Sequence, residues 1–141
     1  MRKTHYFHQR YENIYLTSIQ NSDLKRLIDE GLNYAASILD MQQGDLHIGY
    51  WFNLMQPGDV TTLHSHDELD ELISGVVYLT VPENSGDLIL QTSTQQITLK
   101  PSPGHYFFFD PATPHRVTEN LSSSHRLSIG MNIGPTRDLE D

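Results

Sequence analysis

At 141 residues, with 37% hydrophobic and 19% charged residues, the chain has the size and composition of one soluble domain able to bury a core. A formal net charge of −9, with only nine Lys plus Arg scattered along the chain, excludes nucleic acid as the main partner and gives no attraction to anionic membranes. Zero cysteines remove disulfides and thiolate ligands together, so any metal must sit on nitrogen and oxygen.

In chain order, Ile14 to Leu16 reads as a short first strand. Ser22 is a helix N-cap, with Asp23 in the first turn, where the helix dipole favours negative charge. Leu24, Leu27, Ile28, Leu32, Ala35 and Leu39 recur with helical period and give one buried stripe, so a helix is expected over about 22–40, ended by Gly44-Asp45. From Leu46 onward the pattern changes to short strands split by turn residues. Leu46 to Gln56 is followed by Pro57-Gly58-Asp59, then Val60 to His66 and the acidic run Asp67-Glu68-Leu69-Asp70-Glu71. Ile73 to Val81 closes on Pro82-Glu83-Asn84-Ser85-Gly86, and Asp87 to Gln91 with Gln95 to Leu99 reads as a hairpin. His105 to Phe109, His115 to Thr118 and Arg126 to Ile133 complete the set. Eight or so strands at this spacing predict a mainly β sandwich or jelly roll with an N-terminal helix, as a single domain over 1–141 with its β core at about 46–133.

The chemistry concentrates in three of eight histidines. Residues i and i+2 of a strand face the same way, so His64-Ser65-His66 aims two imidazoles at one point. His115, opening a distant strand after a proline-containing turn, is the natural third ligand. Three such ligands close one face of an octahedron and leave the other open, the arrangement non-haem iron needs to take oxygen and a substrate together. The bland alternative is a pair of surface histidines. That bland reading is kept for His5, His8, His47, His105 and His125. Trp51, Tyr50 and Phe52 read as core and pocket-wall aromatics, and Phe107 to Phe109 as a buried strand rather than a substrate cage.

Four stretches in order, His64-Ser65-His66, Ser74 to Leu79 with Pro82 to Leu88, Phe107 to Val117, and Arg126 to Asn132, resemble the non-haem iron(II)/2-oxoglutarate oxygenase superfamily. They are most similar to a prolyl-hydroxylase-like group of uncharacterised members, and the resemblance runs from about Leu46 to Ile133. It implies a double-stranded β-helix with His64 and His115 as iron(II) ligands. It also implies Arg126 as the clamp on the distal carboxylate of 2-oxoglutarate, with Ser128 beside it, and Tyr78 hydrogen-bonding the same carboxylate. A planar, always-charged fork suits that role. Asn53, on an earlier strand, is expected in the same pocket. The implied activity is a dioxygenase acting on a small-molecule substrate or amino-acid side chain with O2, in the cytoplasm, and a homodimer fits jelly rolls of this size.

The chain departs from that pattern where most members carry His-x-Asp or His-x-Glu. Strand period favours His66 as the third ligand; charge neutralisation favours a carboxylate of the 67–71 run, and both stay open. The rival is a metal-binding cupin without 2-oxoglutarate. Gly58, His64-x-His66 and Glu71 fit the start of the first cupin motif, but its closing glycine falls on Tyr78, and Pro111 to His115 fits the second only loosely. A buried Arg126 distinguishes the two, because such a cupin has no need of it.

Overall fold

The computed structural model describes residues 22–64 and 71–136, together with four two-residue strands before them. These are β1 (Arg2–Lys3), β2 (Tyr6–Phe7), β3 (Arg10–Tyr11) and β4 (Ile14–Tyr15). Side chains are described for 23–63 and 71–136. Leu16, the side chains of Ser22 and His64, and all of His5, His8, His66, Asp67, Glu68 and Asp70 lie outside that set. Among the described residues no helix is long and apolar enough to cross a membrane.

Helix α1 (Ser22–Leu39) is the expected one. It ends on Asp40 at φ 56, where the Asp40 N–H donates to Ser37 O and the Met41 N–H to Ala36 O, a paired closure that usually uses glycine. The eight strands of the β core are β5 (Leu46–Met55), β6 (Thr61–His64), β7 (Ile73–Thr80), β8 (Leu88–Gln91), β9 (Gln96–Leu99), β10 (Tyr106–Phe109), β11 (His115–Val117) and β12 (Arg126–Pro135). One sheet runs β1-β4-β5-β12-β7-β10 and the other β6-β11-β8-β9. From β5, successive strands alternate between the sheets as far as the β8–β9 hairpin; β10 then adds at the edge beside β7, β11 inserts between β6 and β8, and β12 between β5 and β7. This is a double-stranded β-helix, as the sequence pattern predicted.

Strand alternation assigns each face of the larger sheet a separate task. On β12, Ile129, Met131 and Ile133 face α1, and with Val77 of β7 they meet Leu24, Ile28, Ala35 and Ala36 of the helix in two adjoining apolar clusters. Gly31 lets the helix approach, because a Cβ there would stand 2.8 Å from Met131 Sδ. The opposite face carries Arg126, Ser128, Gly130 and Asn132, with Asn53 and Trp51 of β5, Tyr78 and Ser74 of β7, and Phe107 and Phe109 of β10 at matching register positions. That face lines the interior between the sheets, and it is unusually polar for a core.

Candidate metal and cosubstrate site

His115 owes its position to the turn before it. Asp110 Oδ1 accepts the Ala112 N–H at 2.9 Å and Asp110 O accepts the Thr113 N–H at 2.9 Å, while Pro114 O is bound by the Gln91 N–H. The turn delivers Thr113 O to within 3.1 Å of His115 Nδ1. A carbonyl can only accept, so Nδ1 carries the proton, and in the neutral ring the lone pair is on Nε2. A histidine that ligates through one nitrogen typically donates from the other in this way. The ring is 7% exposed and lies 4.8 Å, centroid to centroid, from Phe109.

The β11–β6 register makes His64 the direct cross-strand partner of His115. Such partners have Cβ atoms about 4.5–5.5 Å apart on one face, a spacing that suits two imidazoles sharing one ion. Among the described residues no three His, Asp or Glu side chains form a metal cluster, and the expected third ligand, His66, lies outside them. Of the candidate ligands His115 is the one whose side chain is described, and its Nε2 lone pair is the donor type such a site uses.

Arg126 opens β12 and is 2% exposed. Its Nη1 donates to Ser85 O at 3.3 Å and lies 3.7 Å from Met55 Sδ, while its Nε has no hydrogen-bond partner. Among the described residues no carboxylate pairs with it, the ion pair there being Lys25 with Asp29 on the helix surface. The described acid acting on it is Asp87, through charge and not through an ion pair. Its Cζ sits 5.1 Å from the Tyr78 ring centroid. Burial pushes the guanidinium pKa down from its usual value, opposed by Tyr78 and Asp87. Burial likewise pushes the Tyr78 phenol up, opposed by Arg126, so Tyr78 keeps its proton and remains a donor. A buried cation with an unbonded Nε beside a protonated phenol has the chemistry to accept an anion.

Ser128 and Asn53 are register partners on the interior face, one step along from Arg126, and Asn53 Oδ1 is buried without a partner. Three residues of this environment escaped the sequence reading. Phe109 packs on His115, Ser85 supplies the carbonyl that holds Arg126, and Gly86 at φ 108 lets that loop pass the guanidinium. Alternation within β10 was the available signal for Phe109: Tyr106 and Phe108 join the helix-side core, and Phe107 and Phe109 do not.

The loop that leads into Arg126 is organised by Asn120, which is fully buried. Its Nδ2 donates to Met55 O and Ser124 O, and its Oδ1 accepts from the Ser122 N–H and hydroxyl. Removing this side chain unbonds the buried Met55 carbonyl and dissolves the three part-buried bonds that shape the loop. Asn120→Ala is expected to cost about 2–4 kcal/mol of stability, and a denaturant midpoint unchanged from the parent would contradict it.

Comparison with solved structures finds the same fold elsewhere. A prolyl-4-hydroxylase from Pseudomonas putida is similar at TM-score 0.55 and 22% identity, over 64% of this chain and 52% of that one. A Burkholderia pseudomallei oxidoreductase of the 2OG-Fe(II) oxygenase family is similar at TM-score 0.59 and 17% identity, over 64% and 45%. EvdO2 from Micromonospora carbonacea var. aurantiaca, solved also in complex with 2-oxoglutarate, is similar at TM-score 0.60 and 18% identity, over 85% and 66%. This chain shares the double-stranded β-helix fold of these structures. It spans about half the length of the first two oxygenase structures. No family model matches the sequence, and no curated protein matches it.

Proposed function

We propose that this oxygenase-fold chain is an iron(II)- and 2-oxoglutarate-dependent dioxygenase that hydroxylates a small molecule or an amino-acid side chain. The observation that carries the reading is Arg126, a buried guanidinium with an unpartnered Nε, on the interior face of the barrel that also holds His115. A cupin working without 2-oxoglutarate has no use for such a group.

In this reading His64, His115 and a third ligand hold the iron. The strand-period argument makes His66 the third, because a residue at i+3 of a strand faces the other way from i. Bound iron, with 2-oxoglutarate and O2, supplies the oxidising equivalents for hydroxylation as 2-oxoglutarate is converted to succinate and CO2. The chain's own residues do the placing. Thr113 O fixes the His115 tautomer, and Arg126 with the protonated Tyr78 receives the distal carboxylate. Ser128 and Asn53 flank the cosubstrate along the same face.

Iron-loaded protein given 2-oxoglutarate, O2 and ascorbate is expected to form succinate slowly even without the hydroxylation substrate, ascorbate supplying the two electrons the substrate would otherwise give. Succinate at the level of a metal-free control would contradict the proposal. The same assay tests the third ligand. His66→Asp restores the superfamily's usual carboxylate and should keep iron and turnover, and Asp67→Asn should change metal affinity only modestly. Iron lost in Asp67→Asn and kept in His66→Ala would move the ligand to Asp67.

A further inference from the structure

The interior face of the larger sheet is polar at two levels, and Arg126 accounts for only one. Six residues along β12 from Arg126, Asn132 has a buried Oδ1 with no hydrogen-bond partner. Its cross-strand neighbour Ser74, 2% exposed, has an Oγ equally without one. The two therefore do not satisfy each other. Native interiors rarely leave polar atoms in this state without a ligand or water to complete them.

Three further features mark this level. Gly49, the other register partner of Asn132, carries no side chain, and a Cβ built there would meet only Asn132 O, at 4.0 Å. Space therefore lies beside the amide. Phe109, the register partner of Ser74 on the other side, packs its ring on His115, so the level borders the candidate metal position. Trp51 lies over Gly130, between this level and that of Ser128.

Length decides that 2-oxoglutarate does not serve both levels. Six residues of strand span about 20 Å, whereas the end carbons of an extended five-carbon diacid stand roughly 5 Å apart. A molecule gripped at Arg126 does not reach Asn132. We infer that Ser74 and Asn132 form a separate subsite that binds a neutral amide or hydroxyl group of the hydroxylation substrate, holding it beside the metal. The inference rests on the oxygenase reading for the word substrate, and on the interior geometry alone for the site. Of the two unbonded atoms, the Ser74 hydroxyl can donate and the Asn132 Oδ1 can only accept, a pair that matches an amide or alcohol, whereas a carboxylate oxygen placed against Asn132 Oδ1 would be repelled.

The chain's one tryptophan, Trp51, provides the readout. N-methylacetamide is titrated against Trp51 fluorescence, with acetate as the charged control, in the presence and absence of 2-oxoglutarate. Saturable quenching by N-methylacetamide and none by acetate is expected. The Ser74→Ala/Asn132→Leu double variant should weaken it at least tenfold, with Ser74→Thr retaining it. Because the replaced groups are unbonded in the free protein, the double variant should melt at the parent temperature or above it. No saturable response in the parent, an equal response in the double variant, or a melting temperature lowered by about 5 °C or more would each overturn the subsite. An amide response intact in a protein that binds no 2-oxoglutarate would contradict the oxygenase reading and leave the subsite standing.

Discussion

Replacing His115 by alanine is expected to strip the metal while the β-fold persists. The ring is one of three protein ligands in the proposed site and the one whose tautomer the Thr113 carbonyl sets. Loss of a hydrogen bond behind a ligand typically weakens metal binding 10–100-fold. Loss of the ligand itself should therefore weaken it by more than about 100-fold. His64→Ala should behave alike, because the two positions face each other across β6 and β11. The stability cost should be modest, about 1–3 kcal/mol for a small side chain removed from beside Phe109. Metal analysis after dialysis and circular dichroism separate the two effects. Stoichiometric iron retained in both variants would contradict the assignment. Since imidazole must be neutral to coordinate, parental metal affinity should also fall as pH drops below about 6.5.

Replacing Arg126 by methionine should separate cosubstrate binding from stability in the opposite sense. The guanidinium is almost wholly buried, packs against Met55 Sδ and Tyr78, and has no acid paired with it among the described residues. A charge-assisted hydrogen bond contributes about 1.5–3 kcal/mol, so 2-oxoglutarate affinity should fall about 10–150-fold with iron still bound. The free protein should lose little stability or gain some, because methionine fills similar space without the desolvation cost of an unpaired cation. Arg126→Lys keeps the charge and loses the fork, and should fall between the two. Calorimetric titration of 2-oxoglutarate and a denaturant melt test both halves. Undiminished affinity in Arg126→Met would remove the argument for 2-oxoglutarate.

The fold was legible because its signals are local and periodic. The 3.6-residue stripe of Leu24, Ile28 and Ala35 and the turn residues at Pro57-Gly58, Pro103-Gly104 and Pro111 mark elements without reference to anything distant. Strand ends moved by one or two residues, as with Tyr106–Phe109 against the expected start at His105, because hydrogen-bond pairing and not composition sets them. The pairing of His64 with His115 is a different kind of fact. It joins residues 51 apart through the β-helix topology, and only the resemblance of ordered motifs anticipated it. The unbonded state of Arg126 Nε, Ser74 Oγ and Asn132 Oδ1 was not legible at all. It depends on what fails to surround a side chain, which no single-chain pattern records. The same reason explains why Phe107 to Phe109 read only as a buried strand, when its two faces serve the interior and the helix-side core separately.

The central claim is that one interior holds iron at the histidine end and 2-oxoglutarate against Arg126. Anaerobic addition of iron(II) and then 2-oxoglutarate, followed in the visible, tests it most directly. The account predicts a weak charge-transfer band that saturates with 2-oxoglutarate, is absent in His115→Ala, and needs a much higher cosubstrate concentration in Arg126→Met. Iron bound at one equivalent with no band at any 2-oxoglutarate concentration would contradict it.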